Sequence, residues 1–450
     1  MSGLKYERKF SIRRFFNWFP LGLAYASLYM GRYSYIPAKE DFESLMGNTG
    51  LGLMTMTGAI VYGVSFLFNG PLTDRIGGRK GMLIATAGSC MVNAVMGALL
   101  VTKWFDYFVL KMSILYGFNM YFQSFAAVSI VKVNSNWFNI KERGVFGGIF
   151  GILISLGLFL AYTVSPMVMA ALFEGLPEFY FFIPSGLLAV MFFSTLALIR
   201  DTPADAGFPD FSTGTDTEFD SDTKIPTSMI LKKILTHPVV LSVAFIELCT
   251  GVLRDGMFQW FGAWTVDISR PGVRGLLGVG LFLAGAAGSF TAGFISDKFF
   301  DSRRLPVATF LYSIMLTALI GGALIISLVP DANYLKPYLI FGIVIIMAFG
   351  AIGTHGVLSG AATADFGGKQ ATATATGTIN GFTYIGVAIQ GVALGFLTDY
   401  SWHLWFPFLI PFAAVGLFMS YRLRKVKPKL KKEERDIEEE IQEELEEQTT

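Results

Sequence analysis

Two arginines interrupt apolar stretches long enough to cross a membrane: Arg32 in "YMGRYSY" and Arg254 in "GVLRDGMFQWFGAW". A guanidinium at membrane depth costs at least about 2.5 kcal/mol on insertion scales, so its presence implies a task. Arginine stays charged at any physiological pH and offers a planar fork of donors that matches two oxygens of a phosphate or carboxylate. Two such forks converging from different helices would hold a small dianion and draw those helices together around it. Tyr25, Tyr29 and Arg32 are spaced i, i+4 and i+7, so two phenols share a helical face with the first cation. Seven residues before Arg254, and on its face, stands Glu247, which competes as an ion-pair partner and is a candidate proton site. Asp255 is a second candidate acid, adjacent to Arg254 and expected to point elsewhere.

The elements that must position these residues are membrane spans. The chain has 450 residues, of which 53% are hydrophobic and 15% charged, and a mean hydropathy of +0.54; ordinary soluble domains lie outside that range. Apolar runs fall near 17–36, 50–70, 80–100, 106–130, 144–168, 177–199, 237–262, 274–296, 305–328, 336–360, 373–396 and 402–421. Each suffices, at about 1.5 Å per residue, to cross a core of about 30 Å. They are too long and too uniformly apolar for barrel strands. The fold class expected is therefore an all-α membrane protein of twelve transmembrane helices. The first apolar run is of full span length and lacks a small-residue cleavage pattern, so it is expected to remain as a span.

Lysine and arginine mark alternate connections. Lys5, Arg8, Lys9, Arg13 and Arg14 precede the first span, seven cations from Arg422 to Lys432 follow the last, and others cluster at 75–80, 132–143, 200–233, 298–304 and Lys369. The remaining connections carry few, namely Lys39, Lys103, Arg270, Arg274 and Lys336. The positive-inside rule puts both termini in the cytoplasm, and the short loops point to a bacterial inner membrane.

The chain also repeats itself. "GPLTDRIGGRK" carries Gly70, Asp74, Arg75, Gly78, Arg79 and Lys80 after the second span, and "GFISDKFFDSRR" carries Asp297 after the eighth. The aspartates are 223 positions apart and the membrane arginines 222, which indicates two pseudo-symmetric six-helix halves. The halves are expected at 1–200 and 237–422, joined by a polar linker at 201–236, with a charged cytoplasmic tail at 423–450 that has no transport role. If an axis normal to the membrane relates them, the first helix of each half flanks one central aqueous cavity and both arginines face it. Gly70 to Lys80 and Asp297 are then gating parts: glycines for close approach, Asp74 to cap a helix or pair with a cation, and basic residues to anchor a short turn.

Catalysis and nucleotide use find no support, so no enzyme is expected. No Walker sequence and no paired Cys/His metal spacing occur, and His237, His355 and His403 are scattered. Cofactors and metals are therefore expected to be none. His355, in "GTHGVLSG", is read as a core histidine with a satisfied ring, and Cys90 and Cys249 as packing residues. The partners expected are a small anion and the lipid bilayer, with no nucleic acid, for a chain acting as a monomer.

At these residues the chain resembles the major facilitator superfamily, through "GPLTDRIGGRK", and within it the organophosphate:phosphate antiporter family. The second resemblance rests on Arg32 with its tyrosines, "YGVSFLFNGPLTDR", "NWFNIKERG", "RDTPADAG", "VLRDG" and "GTINGFTYIG", in the family's order. It implies exchange of an organic phosphate ester for inorganic phosphate by alternating access, a rocker-switch. Arg32 and Arg254 would grip the phosphoryl group, and Tyr25, Tyr29 and Tyr62 would line the cavity. The chain departs from that pattern at Phe66, where relatives have a lysine, and at Ile154, where they have a histidine. Both changes make the site less cationic and more apolar. Two other readings remain open on sequence: proton-coupled symport of a carboxylate or other organic anion through Glu247 or Asp255, and a transporter-like sensor that binds a phosphorylated ligand without moving it.

Overall fold

The computed structural model describes residues 7–36, 39–138, 143–209, 236, 238–300 and 303–425. Most of the expected linker, 210–235, and the tail from 426 lie outside the described residues. The chain is helical throughout, with no strand among the described residues. The first half comprises α1 (Arg8–Tyr33), α2 (Lys39–Ile76, kinked at Gly47), α3 (Gly78–Val101), α4 (Phe108–Trp137), α5 (Arg143–Phe159, carried through a wide π turn, Leu160–Val164, into Ser165–Leu172) and α6 (Phe179–Leu198). The second comprises α7 (Pro238–Asp267), α8 (Leu277–Phe299, preceded by a short turn of helix, Pro271–Gly275), α9 (Leu305–Leu328), α10 (Lys336–His355), α11 (Thr363–Tyr400) and α12 (Trp405–Arg422). A second π turn, Gly356–Ala362, joins α10 to α11 without a break, where the hydropathy profile suggests two separated spans.

Among the described residues ten helices are long and apolar enough to cross a bilayer. The two that fall short are α1 and α7, the helices that carry Arg32 and Arg254. The physical reason is where they sit. Every residue of α7 from Ile246 to Thr265 is buried, so its Glu247, Arg254 and Asp255 face protein, and lipid never has to accept them. Lipid-facing helices show the opposite pattern. Phe68, Met91, Phe118, Phe193, Leu324 and Phe418 are exposed, as side chains facing hydrocarbon must be.

The halves meet along two seams, α2 against α11 and α5 against α8. Small residues make both. A Cβ at Gly52 would lie 2.5 Å from the Gly391 carbonyl oxygen and 3.0 Å from the Gly395 Cα, so the α2 and α11 backbones nearly touch. On the other seam Gly151 and Gly285 face Ser289 and Ser155. Van der Waals contact of close backbones holds helices together where lipid supplies no hydrophobic drive.

Polar contacts close the space between the halves at both ends. At the end bearing the basic clusters, Asp74 accepts from Lys132 (2.8 Å) and, across the seam, from the backbone N–H (3.1 Å) and hydroxyl (2.9 Å) of Thr374. The motif aspartate thus pairs with a cation and binds within α11, rather than at a helix terminus. Its counterpart Asp297 is bonded to Arg304, within its own half. Gly77, with a φ of +90°, makes the tight turn into α3. There the Arg79 N–H donates to Asp201 (2.8 Å) and the Arg79 guanidinium to the Leu196 carbonyl (2.7 Å), tying the α2–α3 turn to the segment after α6. Burial pushes the Asp201 carboxyl above its ordinary pKa, against the pull of that N–H. At the opposite end Asn48 donates to Asp267 (3.2 Å), Thr49 N–H to Asp399 (3.1 Å) and Gln259 to the Thr55 hydroxyl (2.8 Å).

Gly52→Val places branched carbon against the α11 backbone and is expected to spread that seam. Labelling of a Thr49→Cys variant by a membrane-impermeant maleimide should accelerate severalfold when Gly52→Val is added. An unchanged rate would mean that the close approach does not hold this end shut.

Candidate functional site

Arg32 sits at the centre of the molecule, 1% exposed. Every acceptor it finds is neutral: its Nε donates to Gln123 Oε1 (2.9 Å), Nη2 to the Tyr62 hydroxyl (2.8 Å) and Nη1 to the Tyr384 hydroxyl. The guanidinium carbon also lies 4.7 Å from the Tyr29 ring centroid and 4.6 Å from that of Tyr62, within cation–π range. Tyr25 joins through Tyr29, their hydroxyls 3.3 Å apart. The helical spacing in the sequence therefore does bring Tyr25, Tyr29 and Arg32 together, and α2 adds Tyr62.

Arg254 is held differently. It is 2% exposed, its Nε donates to Asp255 Oδ1 (3.0 Å), and neither Nη1 nor Nη2 has a hydrogen-bond partner among the described residues. The expectation that Asp255 points elsewhere is wrong, because its side chain turns back onto the neighbouring guanidinium. It also accepts from the Tyr33 hydroxyl, 3.3 Å from either carboxylate oxygen. Tyr33 and Asp255 follow the two arginines and stand 222 positions apart. Contact between equivalent positions is compatible with a two-fold pseudo-axis passing near them. The alternative pairing of Arg254 with Glu247 does not form. Glu247 Oε2 instead lies 2.5 Å from His355 Nδ1 and accepts from the Thr383 hydroxyl (3.2 Å).

The aqueous cavity expected between the arginines is closed in this conformation. The Tyr384 ring lies near both guanidiniums, with its centroid 5.6 Å from the Arg32 guanidinium carbon and 5.8 Å from that of Arg254. Closure follows from the polar contacts at both ends of α2 and α11. Phe66, fully buried, packs its ring 4.5 Å from Tyr62 and 6.2 Å from Tyr384, so apolar surface stands where the resemblance implies a lysine. Ile154 is buried as well.

Sequence reasoning missed Tyr384, Gln123 and Tyr33. Tyr384 lies in "GTINGFTYIG", read there only as a mark of the family resemblance. Asn119 and Gln123 were detectable as amides at i and i+4 in an apolar span. They form a ladder behind Arg32: Gln123 Nε2 donates to Asn119 Oδ1 (3.2 Å), Asn119 Nδ2 to the Gly31 carbonyl (3.0 Å), and Tyr116 to the Arg32 carbonyl (3.2 Å). Of the predicted gating residues, Asp74 crosses to the other half, Arg79 braces its own half, Gly70 faces Gly377, and Arg75 and Lys80 are exposed.

Taken together, the chamber is a closed pocket of phenols with two guanidiniums, one carboxylate and two bare donor groups. Such an arrangement can recognise an anion.

Comparison with known proteins points the same way. The family model described as Major Facilitator Superfamily matches residues 21–389 and 275–447. A glycerol-3-phosphate transporter of Bacillus subtilis is 26% identical over 421 residues, covering 86% of this chain and 87% of the relative. A "probable hexose phosphate transport protein" of Chlamydia trachomatis is 23% identical, covering 92% and 91%. The membrane sensor protein UhpC of Escherichia coli is 25% identical, covering 86% of each.

Gln123→Leu removes the acceptor of Arg32 Nε and leaves a buried charged donor bare, at a cost of about 1–3 kcal/mol. The expected result is a lower melting temperature of the detergent-solubilised protein, with a smaller decrease for Gln123→Glu, which keeps an acceptor. Equal melting temperatures for Gln123→Leu and the parent would show that Arg32 does not depend on this bond.

Proposed function

The chain belongs to the Major Facilitator Superfamily and is an integral, multi-pass membrane protein, and we propose that it exchanges an organic phosphate ester for inorganic phosphate by alternating access. The halves 1–200 and 237–422 rock about the α2–α11 and α5–α8 seams, with both termini cytoplasmic in a bacterial inner membrane. One observation carries this reading: Arg254 is buried with both terminal nitrogens free of acceptors among the described residues. Native structures rarely leave such donors bare, and an oxyanion would satisfy them.

A phosphoryl group entering beside Tyr384 would accept from Nη1 and Nη2 of Arg254. It would take over the Arg32 fork as Tyr384 and Tyr62 release it. Each arginine contributes fully only when both halves touch the same ligand, so binding favours closure. The same geometry explains exchange. Closing without an anion leaves charged donors buried and unpaired, which costs about 1–3 kcal/mol apiece, so the empty carrier reorients slowly and the loaded one quickly. Phe66, in contact with the tyrosines, and Ile154 favour a small organic group with apolar surface over a polyhydroxylated one. The names of the transporter relatives support the ester as cargo.

Counterflow into proteoliposomes preloaded with inorganic phosphate, without pH gradient or membrane potential, tests the exchange. Labelled phosphate should enter the parent vesicles. Arg32→Lys and Arg254→Lys should reduce entry by about 10–100-fold, the loss of one charge-assisted bond of about 1.5–3 kcal/mol. Parent-level transport by either variant would remove the arginine pair from the mechanism. Phosphate binding without counterflow would favour a sensor, a reading to which the similarity to UhpC lends weight.

A further inference from the structure

Glu247 and His355 form a second ionisable site that the anion chamber does not use. Both are buried, at 0% and 2% exposure, and Glu247 Oε2 lies 2.5 Å from His355 Nδ1. Glu247 Oε1 is buried with no hydrogen-bond partner among the described residues. A carboxylate held permanently charged in so apolar a place would need acceptor sites filled on both oxygens. Here one oxygen is satisfied and the other bare, so a proton can be added to Oε1 without breaking an existing bond.

Among the described residues the surroundings supply no fixed counter-charge. Around Glu247 stand Cys249 from α7 itself, the Tyr312 phenol from α9, the Thr383 hydroxyl from α11 and the imidazole from α10. Neither α2 nor α12, which also touch α7, places a charged group in bonding contact with Glu247 among the described residues. Arg254, two turns along α7, is engaged by Asp255. The repeat adds an asymmetry: the offset of 222 that joins the arginines carries Glu247 onto Tyr25, which cannot exchange a proton near neutral pH.

We propose that the Glu247–His355 pair is a proton-binding site whose occupancy follows the loading of the anion chamber. The second clause rests on the function proposed above. Two observations link the sites. Thr383, which donates to Glu247, precedes Tyr384, which bonds Arg32 and lies against Arg254. Around them the α7 and α11 backbones are in contact, Gly251 against the Thr383 carbonyl and Gly386 against that of Leu248. Charge gives the direction. Arg32, Arg254 and Asp255 sum to one positive charge, and a carboxylate beside a neutral imidazole cancels it. An arriving anion then leaves the buried region negative unless a proton arrives with it. That proton comes from water on the open side, bonds to Oε1, and returns to water when the site opens again. No other covalent bond changes. The wide π turn beginning directly after His355 fits a site whose ring must shift, since such turns recur at functional positions.

Infrared difference spectroscopy of the purified, lipid-reconstituted protein tests the site directly. Between alkaline and acidic buffer a carbonyl stretch of a protonated, non-aqueous carboxylic acid should appear in the parent, vanish in Glu247→Gln and shift in His355→Gln. Its absence from the parent, or its persistence in Glu247→Gln, would overturn the proposal. Adding inorganic phosphate at constant pH should raise the same band, while sulfate, which brings no proton, should raise it only as far as it binds. Phosphate binding in Glu247→Gln should lose the pH dependence of the parent beyond that of phosphate's own titration. Identical pH profiles in parent and variant would refute the coupling. If the parent binds no phosphate, the exchange reading and the coupling fall together, and the pH-titrated band alone decides whether the proton site exists.

Discussion

A guanidinium buried between helices must be given acceptors, and in this protein the first one takes them from both halves of the molecule. Arg32 is bonded by Gln123 and Tyr62 from its own half and by Tyr384 from the other. That last bond exists only while α11 lies against α2, so the seam and the solvation of the charge depend on each other. Neutral partners matter. A carboxylate beside Arg32 would compete with any anion, whereas phenols and an amide hold the cation in place and leave its charge available.

Arg254 answers the same demand in a complementary way. Asp255 neutralises it and holds its Nε, which keeps the charge tolerable in a closed chamber, yet the two terminal nitrogens have no acceptor among the described residues. One arginine is thus satisfied by protein, and its counterpart is only half satisfied among the described residues. The pseudo-two-fold relation explains why the two converge, and the different neighbours on α4 and α7 explain why they are not equivalent. The contact of Tyr33 with Asp255, at corresponding places in the repeat, is compatible with the axis passing near them.

The proposed movement of the halves would ask for seams that are close yet smooth. Glycine, serine and threonine provide them on both crossings, because backbones in contact can slide with few side chains to disentangle. Directional bonds are kept to the ends: Asp74 with Thr374 at one, and Asn48, Thr49 and Gln259 with Asp267, Asp399 and Thr55 at the other. With both sets made, the chamber is sealed. Opening either side breaks only a few polar contacts, which water can replace.

What the sequence by itself determined follows from period and cost. Runs of apolar residues of span length admit only helices in a bilayer, a repeat offset shared by two unrelated features exposes the duplication, and an arginine at membrane depth announces a site. The grouping of Tyr25, Tyr29 and Arg32 was legible for the same reason, since residues at i, i+4 and i+7 share a face whatever surrounds the helix. Partners supplied by other helices were not. Tyr384, 352 positions from Arg32, and Gln123, 91 positions from it, are joined to it only by packing. The choice of acid for each base was likewise tertiary. Helical spacing allowed Glu247 to reach Arg254, but α10 brings His355 to Glu247, and Arg254 takes the adjacent Asp255. Spacing along a helix says which residues can meet, and only the neighbouring helices decide which of them do.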